Sequence, residues 1–402
     1  MTQVEEPLRY PIPARKALDP PEEWARLRDR CPVAHVTLPS GDEAALVTRY
    51  DDVKQVLSDP RFTRTGPGRG ARVSAEDGGV FNSEMASVLP QHGPEHLRWR
   101  RMIGKWFTAK RMNALRPGIE AMAERLVDDM VAQGGPADLK AALGFPLPVW
   151  VICDMLGVPD ADRDRFAHWS DMLLSMTRFS QEEMNAAQAE FGAYMAAHIA
   201  AKRAEPGEDV LSALIAETDA EGEPLSDVVL ISTGIGLLVA GHETTANMIA
   251  KMVAMLLADR GRWERLLEDR SLVRSAVEEA LRMDANSGFG MVRYFDEDVE
   301  LAGTVLPAGT TAVCSMAAAN RDERAFADAS EMDLHRSPNP HLAFGAGAHA
   351  CIGQPLARTE LQAVLDVLLR RLPSLELAVG AGDLRRVEGL VVGGLTELPV
   401  RW

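Results

Sequence analysis

The chain has 402 residues, 25% charged and 46% hydrophobic, which are globular proportions and exclude a disordered or collagen-like protein. A formal net charge of −16 argues against general binding to DNA, RNA or an anionic membrane. Four cysteines without a Cys-x-x-Cys pair exclude a disulfide scaffold and a Cys-rich zinc site, and point to a reducing, cytoplasmic setting.

Residues 1–24 carry Pro7, Pro11, Pro13, Pro20 and Pro21 and read as an extended segment. They contain no basic patch leading into an apolar run, so no signal peptide or membrane anchor is expected. Short strands are predicted at 33–38 and 44–48. After Tyr50 the apolar spacing predicts helices over 51–58, 96–106, 110–133, 148–156, 160–176, 181–204, 225–258, 260–267, 272–283 and 354–371. The most apolar run, 228–240, is shorter than the roughly 20 residues a membrane span needs, and reads as a buried core helix. Strands return at 299–306 and 310–314, where VELAGTVLPAG reads as a hairpin, and at 375–379 and 395–400. Helices and strands do not alternate, which excludes a doubly wound sheet. The expectation is a mainly α fold with small β-sheets at its edges, and no linker divides 25–402, which reads as a single catalytic domain.

Cys351 sits in Phe344-Gly-Ala-Gly347-Ala-His349-Ala-Cys351-Ile-Gly353, ahead of the helix predicted from Gln354. Glycines around one cysteine suggest a tight loop presenting backbone N–H groups to the sulfur, and a helix N-terminus behind a thiol favours thiolate. Such a thiolate fits one axial metal bond or a nucleophile. Cys31, Cys153 and Cys314 lack this frame and read as small buried hydrophobes.

Phe344, Gly347, His349, Cys351 and Gly353 resemble, position by position, the haem-ligand signature of the cytochrome P450 family. The resemblance implies a triangular helical prism around haem b (iron protoporphyrin IX), with Cys351 as the proximal thiolate that favours O–O cleavage. It also implies that Phe344 packs beside the sulfur and that His349 hydrogen-bonds a haem propionate. The likeness runs from about residue 25 to the end and fits the soluble bacterial type. One departure is mild: Met332 stands where many relatives carry Phe.

A second constellation is Ala240-Gly241-His242-Glu243-Thr244-Thr245 in the apolar helix. A carboxylate and hydroxyl there are costly unless used or satisfied. Thr244 could bond the carbonyl four residues earlier, and Gly241 weakens the helix; a local opening around a ligand would account for all three. The segment resembles the family's oxygen-binding motif, which implies that Thr244 steadies bound O2, a co-substrate, and that Glu243 relays protons. Glu279 and Arg282 share a helix face at i, i+3; with Arg336 they match the family's buried Glu-x-x-Arg set and take a structural role. His96, Arg100 and Arg293 match the family's further propionate partners, two buried carboxylates needing such pairing.

By position in the family, substrate-facing candidates are Leu237, Val239, Asn286, Ser287, Phe289, Val391 and Val392, with the segments 81–88 and 172–184 also implicated. Their character suggests a medium-sized, largely apolar small molecule held by a few hydrogen bonds. The chain has no room for a fused reductase, so electrons are expected from a ferredoxin and ferredoxin reductase. Arg98, Arg101, Lys105, Lys110, Arg111 and Arg358 form a candidate basic docking patch despite the acidic whole. The function implied is a monooxygenase that hydroxylates or epoxidises its substrate in secondary metabolism. The alternatives are oxidative coupling or ring formation without oxygen insertion, and a non-catalytic haem-binding sensor.

Overall fold

The structure is a computed structural model that describes residues 8–64, 88–174, 179–218, 222–284, 288–387 and 391–402. In chain order, β1 (Leu8–Arg9) and α1 (Glu23–Arg30) precede the hairpin β2 (Val33–Thr37) and β3 (Glu43–Val47), and α2 (Tyr50–Ser58) follows. Then come α3 (Gly93–Gly104), α4 (Ala109–Gln133), β4 (Ala137–Asp138), α5 (Pro146–Met155), α6 (Arg163–Leu174), α7 (Gln181–Ala204) and α8 (Val210–Ile215). The long α9 (Asp227–Leu257) leads to α10 (Arg260–Glu268) and α11 (Val273–Met283). Strands β5 (Met291–Tyr294), β6 (Val299–Leu301), β7 (Thr304–Leu306) and β8 (Thr311–Cys314) are followed by α12 (Met316–Ala319) and α13 (Gln354–Arg371). The chain closes with β9 (Glu376–Leu377), β10 (Arg386–Val387), β11 (Gly394–Leu395) and β12 (Pro399–Arg401).

Helix α9 is apolar nearly all round and is therefore enclosed. It packs against α5, α6, α7, α11 and α13, and α13 packs in turn along α4. By length and composition α9 is apolar enough to cross a membrane, contrary to the reading of its apolar run as too short, but most of that stretch is buried inside the protein. Ser226 caps α9 by accepting from the Val229 N–H, and Ser180 with Glu183 forms a capping box on α7.

Five strands form the main sheet in the order β1-β2-β3-β8-β5, with β3 and β8 parallel and β5 antiparallel to β8. The predicted hairpin is confined to β6 and β7, which form their own two-stranded sheet. Strand β8 is not part of it, because its four buried residues serve both sheet neighbours. The predicted strand at 395–400 divides into β11 and β12, which belong to separate sheets. Helices α1 and α8 and strand β5 were not predicted. They are short, and tertiary contacts define them: α1 buries Trp24, Leu27 and Arg28, and Asp209 caps α8 by accepting from the Ser212 N–H at 2.8 Å.

Candidate functional site

The cysteine loop lies against α2. Gly345 and Gly347 both have φ of +69°. A Cβ on Gly347 would meet Ser58 Cα at 2.6 Å and the Leu57 oxygen at 2.7 Å, so a side chain would push the loop off the helix. The Cys351 N–H donates to the Phe344 carbonyl at 2.8 Å, and Arg100 donates to the Ala350 carbonyl at 2.5 Å. The thiol faces a cavity just before α13. Burial pushes the thiol up, while the Gly353 and Gln354 N–H groups, Arg100 and Arg358 pull it down. The sequence pointed to a thiol lowered by the helix N-terminus; in the fold, burial outweighs that pull. Cys153 and Cys314 are buried as expected, whereas Cys31 is exposed with its thiol toward the Val33 carbonyl.

The cavity has a volume of about 470 Å³, within the roughly 300–1,000 Å³ of small-molecule and cofactor sites. Ala240, Gly241, Thr244 and Thr245 line it from α9, and Phe344, His349, Cys351 and Gly353 line it from the cysteine loop. Thr244 is exposed to this space while its hydroxyl donates to the Ala240 carbonyl at 3.0 Å. Glu243 is buried beside it, and its carboxylate accepts from Asn247 Nδ2 at 2.8 Å. His242 Nδ1 lies 2.8 Å from the Leu238 carbonyl, and burial lowers the imidazole pKa. The expected opening of the helix is absent: α9 runs unbroken through Gly241. A Cβ there would meet Ile152 Cγ1 at 2.8 Å, so this glycine serves the close approach of α5 to α9.

Five basic groups gather at the cavity. Arg64, Arg293 and His349 line it, the His96 and His349 rings lie 4.3 Å apart, and Arg100 carries the loop carbonyl noted above. Arg64 was not anticipated. Its neighbour Thr63 forms a bridge with Tyr294, exchanging N–H···O bonds of 2.7 and 2.9 Å, which brings Arg64 beside Arg293. None of the five has an ion-pair partner among the described residues, and Arg293 Nε and His349 Nδ1 are buried without a hydrogen bond. Burial and the surrounding cations push His349 down to about 3, and burial lowers Arg293 to about 10. Arginines and buried donors that face a largely apolar cavity with no ion-pair partner among the described residues fit a ligand with a large apolar body and carboxylates.

The cytochrome P450 family model matches residues 32–377. The chain belongs to the cytochrome P450 family. It is 44% identical to mycinamicin IV hydroxylase/epoxidase of Micromonospora griseorubida over 99% of both chains. It is 43% identical to nocardicin C N-oxygenase of Nocardia uniformis subsp. tsuyamanensis over 98% of each. Among solved structures, the putative thioether synthase SgvP, from the tailoring step of griseoviridin, superposes with a TM-score of 0.91 at 40% identity, covering 98% of this chain and 100% of that one. This P450 is therefore a monooxygenase of a family that uses a haem–thiolate cofactor and O2, and acts on small molecules with redox partners.

In this P450, Glu279, Arg282 and Arg336 meet in one buried knot. Arg282 grips the Glu279 carboxylate in a fork of 2.8 and 2.7 Å, and Arg336 Nε lies 3.1 Å from both of its oxygens. Asn339 and the Asp333 N–H complete it, and Arg282 also binds the Asn320 and Ala329 carbonyls. Met332 packs in the core. Of the substrate candidates, Leu237, Val391 and Val392 line the cavity. Val239 and Phe289 do not: Val239 packs in the helical core, and Phe289 is fully buried with its ring against Tyr10. Asn286 and Ser287 lie outside the described residues, as do 81–87 and 175–178. The basic patch is narrower than expected, because Lys105 pairs with Glu217, Arg111 covers Trp106 and Arg358 forks onto Glu278.

Proposed function

We propose that this P450 holds haem b with Cys351 as iron ligand and oxidises a medium-sized, largely apolar small molecule in a tailoring step of secondary metabolism. The observation that carries the reading is one cavity lined by the Cys351 thiol, the Thr244 hydroxyl and arginines that have no ion-pair partner among the described residues. When bound, the haem supplies O2 activation, its thiolate favouring O–O cleavage. His96, Arg100, Arg293 and His349, joined by Arg64, would pair with its two carboxylates. Thr244 donates its own proton to the Ala240 carbonyl, so Oγ1 keeps lone pairs with which to accept from a polar group in the cavity. Glu243, held by Asn247, would carry protons from solvent toward that hydroxyl. The apolar wall of Leu237, Met248, Val391 and Val392 would orient the carbon to be oxidised and exclude water. The named activities of the 44% and 43% identical relatives support hydroxylation, epoxidation or heteroatom oxygenation. Electrons would come from a ferredoxin and its reductase in the cytoplasm, docking on the face that carries Arg98, Arg101 and Lys110.

The test is the difference spectrum of the reduced protein with carbon monoxide. A Soret band at the position of thiolate-ligated haem is expected, and its loss in Cys351→Ser with haem still bound. A wild-type band typical of histidine-ligated haem would overturn the assignment. The likeness to a protein named as a thioether synthase supports a second outcome, bond formation without net oxygen insertion. Turnover under isotopically labelled dioxygen separates the two, because only insertion labels the product.

A further inference from the structure

Lys251 lies in the buried part of α9, seven residues after Thr244 and about 10 Å along the same face. An unpaired ammonium there would be costly. Its Nζ donates to Asp284 Oδ2 at 2.7 Å and to the Gly393 carbonyl at 3.1 Å, and the two side chains are only 5% and 11% exposed. One ammonium thus joins three separate pieces of chain: α9, the residue that ends α11, and the turn before β11. The pieces are fastened further. The Phe289 N–H donates to the Val391 carbonyl at 3.0 Å, and the Val391 N–H to Leu174 at 3.2 Å. A Cβ on Gly394 would come 2.1 Å from Asn247 Oδ1, so β11 lies directly on the helix one turn before Lys251. Lys251, Asp284, Val391 and Val392 all line the cavity that Thr244 lines.

Resting on the haem reading above, we propose that Lys251 is a specificity-determining positioning residue, whose ammonium clamps Asp284 and the Val391–Gly393 turn against α9 to fix the far wall of the substrate cavity. The charges of the pair are directed at each other and at a backbone carbonyl, while Leu237, Met248, Val391 and Val392 give the wall its apolar surface. That selects an elongated, largely apolar substrate long enough to run about two helical turns from Thr244. A buried ion pair is weak evidence for stability and better explained by the arrangement it enforces.

The test uses the haem-loaded full chain and two azole probes read by their Soret shifts. Imidazole needs only the iron site; ketoconazole, a long azole, must also lie along the cavity wall. In Lys251→Met and in Asp284→Asn, imidazole affinity should stay within about twofold while ketoconazole affinity changes about tenfold. The double variant should be no worse than either single one, because one interaction is lost in all three, and Lys251→Arg should restore part of the long-probe affinity. Unchanged ketoconazole affinity in both single variants would overturn the clamp. Equal losses for both probes, with falling haem content, would also overturn it in favour of a role in the fold alone. A wild-type protein that gives no Soret shift with imidazole would instead sink the haem reading, and the clamp with it.

Discussion

Glu360 on α13 is fully buried, and neither carboxylate oxygen makes a full hydrogen bond, although the Thr245 hydroxyl stands near enough to lower its pKa slightly. Burial pushes this carboxyl up to about 8, so the folded protein keeps it neutral at pH 7. The unfolded chain releases that proton near pH 4.5, so between about 4.5 and 8 the folded state binds more protons and loses stability as the pH rises. Glu360→Gln, which copies the neutral form, should therefore stabilise the protein at pH 7 by roughly 2–3 kcal/mol and flatten this dependence, as urea midpoints at pH 5 and pH 8 would show. An equal gain at both pH values would refute it. Among the described residues the Thr244 hydroxyl is tied only to its own helix, so Thr244→Ala should spare the fold and cost function. Reductant consumption should continue while product falls by roughly tenfold or more and peroxide rises. Unchanged product yield would remove the proton role from Thr244. Cys351 and Thr244, which line the cavity, and Glu243 beside them could be picked out of the sequence because each sits in a short local motif. Arg64, Asn247, Lys251 and Glu360 could not, because each acquires its meaning from a partner on another segment or from burial.

The same divide runs through the elements. Long helices such as α4, α7 and α9 show their period over many turns. Strand β5 has four residues, and nothing local marks it; pairing with β8 makes it a strand and sets Arg293 opposite Ala312. The knot around Glu279 shows how a short motif governs long stretches of chain. One carboxylate gathers Arg282, Arg336, Asn339 and the Asp333 N–H, and Arg282 then ties α11 to the segment between α12 and the cysteine loop. Arg282 and Glu279 are both wholly buried, so neutralising one leaves an uncompensated charge. Glu279→Gln should cost about 3–5 kcal/mol. It should also lower haem retention, because the freed segment leads into the Cys351 loop. A thermal melt paired with the haem-to-protein absorbance ratio reads both effects, and an unchanged ratio in a folded variant would separate the knot from the cysteine loop.

At the scale of the whole molecule, an acidic chain surrounds a cluster of three arginines and two histidines that has no ion-pair partner among the described residues. The net charge of −16 says nothing about this cluster, because it assembles from residues 64, 96, 100, 293 and 349 only on folding. Burial lowers each member most, and neighbouring charges add to it: the Arg100 charge lowers Arg64, and Arg64 lowers His96, Arg293 and His349. Such repulsion destabilises the empty fold, whereas two ligand carboxylates would convert it into attraction. Removing one cation must therefore act with opposite sign on the two forms. Arg64 is the member to remove, because its side chain is exposed to the cavity and fills no packed core. Arg64→Gln should leave the haem-free protein as stable as the parent or raise it by on the order of 1 kcal/mol, about 1–2 °C in Tm. The haem-loaded protein should melt lower, and haem should transfer faster to an apoglobin acceptor. Added salt should shrink the gain in the haem-free form, since screening weakens the repulsion that the substitution relieves. Loss of stability in both forms would mean that Arg64 serves packing instead, and the cluster would then consist of the four groups the sequence already marked.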